Sequence, residues 1–170
     1  MSDFRSQTCC FTGHRNIIPG DEQKILTRVK YIVQDLLAKG VTYFGVGGAA
    51  GFDMLIAEYL IDLRDRQGKK INIISVIPWP GWMELWNDEQ KVRQERILKK
   101  SDKVVYVNQE NVKDVYLIRD RYLVDNASYC VSYCNRRSGG TAYTVRYAFR
   151  QGLECHNASS WDIRQLRPKK

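Results

Sequence analysis

Two glycine-rich turns carry the residues of this chain that are best suited to chemistry. Residues 45–53 read GVGGAAGFD and residues 138–144 read SGGTAYT. Each turn follows an apolar, strand-like run and opens a segment with a helical pattern. Such a turn leaves backbone N–H groups unpaired at the positive end of a helix dipole, where an anion, most often a phosphate, binds. The pair of turns therefore predicts a nucleotide or a nucleotide derivative that is held from two sides.

The residues of these turns are the first candidates for ligand contact. A glycine there also serves simply to allow a tight turn, and a threonine to cap a helix. Because both glycine clusters open helices, we favour ligand contact over this plainer interpretation. The predicted ligand-binding residues of the two turns are Gly47, Gly48, Ala49, Gly51, Asp53, Ser138, Gly139, Gly140, Thr141 and Thr144.

Asp53 differs from its neighbours because a carboxylate repels phosphate. At the start of a helix it is by default a capping residue that the helix dipole stabilises. A functional role for Asp53 would therefore be towards a ribose hydroxyl or a catalytic water.

Further candidates follow other strand-like runs. Gly13, His14 and Arg15 follow the first run, and we expect Arg15 to contact phosphate because a guanidinium binds phosphate well. Trp79 and Trp82 follow the third run, where they either cover the sheet end as core residues or stack on a base. Candidates of second rank, which pairing along a helix would also explain, are Arg119, Arg121 and Asp125.

Several familiar motifs are absent from the sequence. There is no P-loop ending in Gly-Lys-Ser/Thr and no Gly-x-Ser-x-Gly elbow. The two histidines do not make a conventional metal site. Gly45-x-Gly47-x-x-Ala50 matches the relaxed dinucleotide fingerprint, but it follows the second strand-like run, and the next run ends without an acid. We therefore expect no metal, no cofactor and no NAD(P)-dependent dehydrogenase chemistry.

The composition predicts one domain over residues 1–170, with 44% hydrophobic residues. No apolar run of about 18 residues predicts a membrane span, and the first residues lack the core of a secretory signal. Five cysteines without metal-ligand spacing favour reduced thiols in a cytoplasmic protein. The net charge of +8 favours phosphate-bearing partners. Because the basic residues are dispersed, nucleic acid is only a secondary candidate.

Strand and helix patterns alternate along the chain. The spacing of apolar residues predicts a helix over residues 21–39, and further helices are expected at 53–66, 82–100, 114–127 and 141–151. Strands are expected at 8–12, 42–46, 72–77, 103–107 and 129–134, with a sixth edge strand near 159–163. This alternation predicts a three-layer, Rossmann-like α/β domain with a mostly parallel five-stranded sheet, in the order 3-2-1-4-5. The candidate loops all leave carboxyl ends of strands, where ligands bind in such sheets.

Four segments together resemble the YpsA-like family of the SMF/DprA–LOG (SLOG) superfamily. They read TGHR at residues 12–15, GGAAGFD at 47–53, RYLVDNAS at 121–128 and SGGTAYT at 138–144. The resemblance implies a cytosolic bacterial or phage domain with a Rossmann-like fold that binds a nucleotide-related molecule. It also implies a homodimer, as in the LOG relatives, and kinship with the single-stranded DNA binders of the DprA branch.

The chain departs from the LOG branch at one informative position. LOG enzymes, which remove the base from nucleoside 5′-monophosphates, carry a Pro-Gly-Gly-x-Gly-Thr-x-x-Glu turn whose glutamate contributes to catalysis. Aligned on the paired glycines, this chain has Arg146 in place of that glutamate. An arginine cannot stabilise the positive charge that develops on the sugar, although it can bind phosphate.

The resemblance and this departure favour a binding protein over an enzyme. We expect a sensor or regulatory domain for a nucleotide-derived small molecule, such as an ADP-ribose-like compound. A LOG-like N-glycosidase, in which Asp53 or Glu58 replaces the missing glutamate, is the first alternative. A DprA-like single-stranded DNA binder is the second.

Overall fold

The chain forms a single parallel sheet with helices on both faces, and a computed structural model describes residues 4–169. The strands are β1 (Thr8–Gly13), β2 (Tyr43–Val46), β3 (Asn72–Ile77), β4 (Lys103–Tyr106), β5 (Tyr129–Tyr133) and β6 (Glu154–Asn157). The helices are α1 (Glu22–Ala38), α2 (Phe52–Gln67), α3 (Asp88–Lys100), α4 (Val115–Asp125) and α5 (Gly140–Arg150). Short 3-10 helices span Phe4–Gln7 and Ile163–Leu166. The domain predicted over residues 1–170 includes residues 1–3 and 170, which lie outside the described residues.

The strands pair in the order β4-β3-β2-β1-β5-β6, and every pair is parallel. The predicted order 3-2-1-4-5 is wrong, because β4 extends the sheet beyond β3 and α4 then carries the chain back to place β5 beside β1. The direction of strand addition consequently reverses between β1 and β5. In parallel sheets of this kind, ligands bind outside the carboxyl ends of the strands at such a reversal. The loops that follow β1 and β5 flank this crevice.

The helices cover the sheet in two layers, as right-handed crossovers require. Val29, Leu60 and Ile97, one each from α1, α2 and α3, share a buried cluster on one face of the sheet. Leu123 of α4 and Ala148 of α5 belong to a second buried cluster on the other face. The predicted three-layer, Rossmann-like α/β fold is confirmed.

Two elements lie elsewhere along the chain than predicted. The edge strand expected near residues 159–163 is β6 at Glu154–Asn157, and the chain after it turns into the 3-10 helix Ile163–Leu166. The helix expected from residue 82 begins only at Asp88, because Asn87 caps it. The Asn87 side chain accepts from the Gln90 backbone N–H at 2.8 Å, and the Gln90 side chain accepts from the Asn87 N–H. Residues 79–86 form turns that border the end of the sheet.

No helix within residues 4–169 combines the length and the apolar character needed to cross a lipid bilayer.

The loop after β1 packs directly on the first glycine turn. The Phe52 backbone N–H, at the start of α2, donates to the His14 carbonyl at 3.2 Å. Gly51 has a φ of +80°, and a Cβ at this position would lie 2.2 Å from the carbonyl oxygen of Arg15. Glycine is therefore required at position 51 both by its backbone conformation and by the approach of another backbone segment.

We expect the substitution Gly51→Ala to lower the free energy of unfolding by about 3 kcal/mol or more, since backbone strain and a backbone clash add together. Gly20→Ala is the matched control, because Gly20 also has a positive φ of +87° but has nothing within 4 Å of a Cβ. It should lose only about 1–2 kcal/mol. Urea unfolding of both variants measures the difference. Equal losses in the two variants would show that the contact between the loop and the turn adds nothing to stability.

Candidate functional site

A polar cavity of about 350 Å³ opens at the carboxyl ends of the strands, at the reversal between β1 and β5. Its wall combines the loop after β1, both glycine turns and one side of α4. The lining residues are Thr12, Gly13, His14, Arg15, Asn16, Ala49, Asp53, Arg119, Asp120, Arg136, Gly140 and Thr141. The structure thus brings members of all three predicted turns to one cavity. Within the described residues, no cluster of His, Cys, Asp and Glu side chains is placed to hold a metal ion.

His14 and Arg15, after β1, have different environments. His14 is buried, and its Nε2 accepts from the Asn135 backbone N–H at 3.1 Å. Burial and the nearby charge of Arg136 lower the pKa of His14, in keeping with a neutral ring that accepts this bond. Arg15 is exposed, and its guanidinium lies 5.0 Å from the centre of the Tyr116 ring. His14 therefore joins two loops across the crevice, whereas Arg15 presents a positive charge at the cavity.

Trp82 supports the first glycine turn through a hydrogen bond. This side chain is buried, and its Nε1 donates to the Gly48 carbonyl at 2.9 Å. Gly48 has a φ of +71°, and a Cβ there would lie 2.5 Å from Ile77. Trp82 also borders a small cavity beside the main one. Trp79 packs edge to face on Tyr116, with ring centres 5.7 Å apart, and lies outside the lining of the main cavity. Base stacking by either tryptophan stays a prediction.

Asp53 has the most unusual environment in the cavity wall. It lies in the first turn of α2 and is only 5% exposed. Its Oδ2 accepts from the Ala49 backbone N–H at 3.2 Å, whereas its Oδ1 is buried with no hydrogen-bond partner. Burial raises the pKa of Asp53 to about 7, against the lowering effects of Arg119 and of the Ala49 N–H. A buried carboxyl oxygen without a donor calls for an explanation, and a ligand hydroxyl would supply that donor.

Arg119 reaches from α4 to the first glycine turn. It is 5% exposed, its Nη1 donates to the Gly47 carbonyl, and its Nε donates to Asp120 at 2.7 Å. A Cβ on Gly47 would lie 2.9 Å from Asp53 Oδ2 and 3.1 Å from Arg119 Nη1. Glycine at position 47 therefore leaves room for the guanidinium and the carboxyl group to lie side by side. Arg119, a second-rank candidate in the sequence, is therefore part of the cavity wall.

The second glycine turn opens α5 without a side-chain cap. Gly139 is the N-cap residue, with a φ of +98°. Gly140 and Thr141 line the cavity, and a Cβ at Gly140 would have open space around it. The Thr144 hydroxyl is instead shared between the Gly140 carbonyl, at 2.8 Å, and Asp120 Oδ2, at 3.1 Å. Thr144 is thus buried behind the cavity lining, where its hydroxyl donates to two residues that line the cavity.

Glu58, Ser138 and Arg146 are among the predicted residues that lie outside the cavity lining. The Glu58 carboxylate forms an ion pair with Arg93 of α3. Ser138 is exposed beside the second glycine turn. Arg146 donates through Nη2 to the Arg137 carbonyl at 2.7 Å. Neither Glu58 nor the arginine that replaces the LOG glutamate lines this cavity, whereas the other candidate carboxylate, Asp53, does.

Arg121 and Asp125 connect α4 to α5 on the outside of the protein. Arg121 Nε donates to the Tyr143 hydroxyl at 2.8 Å, and the Tyr147 hydroxyl donates to Asp125 at 2.7 Å. Both residues are exposed, and neither lines the cavity. These contacts are structural, which is the plainer role that the sequence allowed for both residues. They join α4 to α5, however, and do not pair residues along one helix.

Asn16, Asp120 and Arg136 also line the cavity, and they belong to none of the motifs found in the sequence. Arg136 has a detectable signal, because it lies in a basic pair directly before the second glycine turn. Asp120 has no such signal in the sequence. It lies between two arginines of α4, and their order along the chain does not reveal which of the three side chains faces the crevice.

A larger cavity of about 650 Å³ lies at the opposite end of the sheet. Its wall includes Thr8, Tyr43 and Lys103, the first residues of β1, β2 and β4, together with Leu123 of α4. The wall is mostly hydrocarbon and carries no carboxylate. Since a ligand site needs converging polar groups, we place the candidate site in the smaller cavity.

Comparison with known families identifies the family of this chain. The model of the YpsA family, described as the YspA SLOG family, matches residues 9–169. The chain belongs to the YspA SLOG family. The matched residues of this SLOG domain include all those that line the polar cavity. No curated protein matches the chain.

Two solved structures of DNA processing protein A are similar in fold to this SLOG domain. The Helicobacter pylori protein, whose structure is described for its single-stranded DNA binding mode, has a TM-score of 0.60 and 16% identity over 91% of this chain and 66% of that one. The Streptococcus pneumoniae protein has a TM-score of 0.64 and 16% identity over 94% of this chain and 53% of that one. This chain thus spans just under two thirds and about half of their lengths. At such identity, the likeness shows the fold alone.

The substitution Asp53→Asn tests whether the buried carboxyl group destabilises the protein when it is charged. Because its folded-state pKa of about 7 lies above the unfolded value, the contribution of Asp53 to stability is greatest below about pH 4 and is lost as pH rises through about 7. The variant has no carboxyl group to titrate at position 53, and the carboxylate of Asp120 still pairs with the guanidinium of Arg119. We expect the variant to be more stable than the wild type by roughly 2–4 kcal/mol at pH 8, and the difference to shrink towards pH 4.5. Thermal melting at both pH values measures this, and equal stability at pH 8 would contradict it.

Proposed function

We propose that this SLOG domain binds a nucleotide or a nucleotide-derived small molecule, such as an ADP-ribose-like compound, in the polar cavity. The observation that carries the proposal is the buried carboxyl group of Asp53, whose Oδ1 has no hydrogen-bond partner, in the lining of a cavity that also holds three arginines and the start of α5. A ribose hydroxyl supplies the donor that Asp53 lacks, and a phosphate supplies the counter-charge for Arg15 and Arg136, since Arg119 pairs with Asp120.

The two glycine turns have different roles in this proposal. At the first turn, the Ala49 N–H is bound to Asp53 and the Phe52 N–H is bound to the His14 carbonyl. A carboxyl group also lies there, so this turn suits a ribose better than a phosphate. At the second turn, no side chain caps α5, and Gly140 and Thr141 face the cavity near Arg136. We therefore assign the phosphate to the second turn.

The base is assigned to the aromatic side chains around the small adjoining cavity, which encloses only about 30 Å³ and must widen to admit a base. Its lining includes Trp82, Trp86 and Tyr116, together with Arg15 and Arg119, which also line the main cavity. Aromatic rings and guanidinium planes both stack on bases. A regulatory role, a cytoplasmic location and a homodimer are parts of the same proposal.

The first test is a native mass spectrum of freshly purified protein, in which a co-purified nucleotide would be identified by its mass. Calorimetry with that ligand, or with AMP, ADP and ADP-ribose in turn, then gives the affinity. We expect Gly140→Asp to weaken binding by about a hundredfold or more, since a carboxylate would stand where the phosphate binds.

The matched control is Gly152→Asp, which adds the same charge just beyond the other end of α5. Both positions leave open space around a Cβ. Gly140 lacks a positive φ, whereas Gly152 has a φ of +81°, so the control variant should lose about 1–2 kcal/mol of stability and still fold. Gly152→Asp should bind as the wild type does. If Gly140→Asp keeps its affinity within about threefold, less than ~1 kcal/mol, the phosphate assignment is wrong.

A nucleotide N-glycosidase is the second candidate, and the pKa of about 7 at Asp53 favours it. A carboxyl group that titrates near neutral pH suits general acid–base chemistry at a glycosidic bond. Against it stands Arg146, which replaces the LOG glutamate and lies outside the cavity lining.

We expect little or no base release when the wild-type protein is incubated with nucleoside 5′-monophosphates, because the LOG glutamate is missing. Chromatography of the free base after prolonged incubation measures it. Turnover near the common lower value of ~1 s⁻¹, abolished in Asp53→Asn, would establish the enzyme instead.

A further inference from the structure

A basic groove, separate from the polar cavity, runs between α5 and the segment after the C-terminal 3-10 helix. It encloses about 420 Å³, and α5 contributes Tyr143, Arg146 and Arg150 to its wall. Arg167 and Lys169 form part of the opposite wall. None of these residues lines the polar cavity, so a role for the groove is independent of the function proposed for the cavity.

The C-terminal segment is held in place by the core. Ile163 and Leu166 of its 3-10 helix are buried in one cluster with Val145 of α5. The guanidinium of Arg167 lies 5.3 Å from the centre of the Phe149 ring, also on α5. The two walls of the groove are therefore parts of one packed unit.

The five cations of the groove, which include Arg137 from the loop before the second glycine turn, have no carboxylate partner within residues 4–169. Their contacts are neutral ones. Arg137 donates to the Gln165 side-chain oxygen at 2.5 Å, and Arg146 donates to a backbone carbonyl. Arg150 and Arg167 lie over aromatic rings. Positive charges gathered without counter-charges repel one another, and a polyanion in the groove relieves that repulsion.

A tyrosine and two arginines of α5 form a row along one side of the helix. Tyr143, Arg146 and Arg150 follow each other at spacings of three and four residues, which places them on one face. At a rise of about 1.5 Å per residue, this row is about 10 Å long. The row is long enough to contact consecutive phosphates of a strand, whereas a single phosphate would occupy only part of it.

We propose that this groove binds the phosphate backbone of a single-stranded nucleic acid. Guanidinium groups, which predominate here, bind phosphate oxygens in pairs. The Tyr143 ring, whose hydroxyl accepts from Arg121 Nε at 2.8 Å, adds an aromatic surface to the same wall. Cations combined with an aromatic ring in a groove are typical of single-strand binding, in which bases stack and phosphates pair with charges.

The test measures binding of a fluorescein-labelled 20-mer of deoxythymidine by fluorescence anisotropy in about 50 and 200 mM NaCl. The groove variant is Arg150→Glu with Lys169→Glu. The matched control is Arg96→Glu with Lys99→Glu, which makes the same change in charge on exposed residues of α3, across the sheet. We expect the groove variant to bind at least about tenfold more weakly than the wild type, and the control to stay within about threefold.

A neutral pair of substitutions, Arg150→Gln with Lys169→Gln, covers the case in which charge reversal disturbs the fold, which thermal melting reveals. It removes two phosphate contacts, so the slope of log affinity against log salt should fall by about 1.4.

Three results would overturn the proposal: no binding by the wild type in about 50 mM NaCl, equal weakening in the groove and control variants, or complete displacement of the oligonucleotide by tripolyphosphate at the same phosphate concentration. The last result would assign the groove to a small polyanion.

Discussion

The guanidinium of Arg119 joins the two faces of the sheet where the cavity forms. α4 and α2 pack on opposite faces, and Arg119 spans the strand ends between them, from α4 to the carbonyl of Gly47. Beside it lies Asp53 of α2, and both side chains are 5% exposed. The attraction between these two groups lowers the pKa of Asp53, but burial raises it further, and the balance is about 7. The shape and the charge of the site both depend on these two side chains, and a Cβ at position 47 would lie 2.9 Å from Asp53 Oδ2 and 3.1 Å from Arg119 Nη1.

The two glycine turns look alike in sequence and differ in the structure. The first is closed by neighbours: Trp82 holds the Gly48 carbonyl, His14 accepts from the Phe52 N–H, and Asp53 accepts from the Ala49 N–H. The second has no side-chain cap and leaves open space beside Gly140. Such a division suits a ligand with one hydroxyl-bearing end and one anionic end, because each turn then contacts a different part of it.

Membership of the YspA SLOG family and the fold shared with DNA processing protein A do not by themselves decide the ligand, because function resides in side chains placed on the loops of a fold. Arg146 illustrates this. It occupies the position of the LOG glutamate in sequence, yet in this chain it belongs to the wall of the basic groove and not to the cavity lining. One change of charge in the middle of α5 therefore removes an acid from the expected chemistry and adds a cation to a second surface.

The sequence by itself determined the alternation of strands and helices and the end of the sheet at which the turns meet, because both follow from local patterns. The buried face of α1, from Ile25 to Leu36, is one such pattern, and the glycine turns after β2 and β5 are another. Only the tertiary structure decided that β5 lies beside β1, that Trp82 supports a turn and that Glu58 pairs with Arg93. It also decided which side of α4 faces the crevice, and with it the inclusion of Arg119 and the exclusion of Arg121. These outcomes depend on contacts between segments far apart in the chain, and no local pattern of residues encodes which segments will meet.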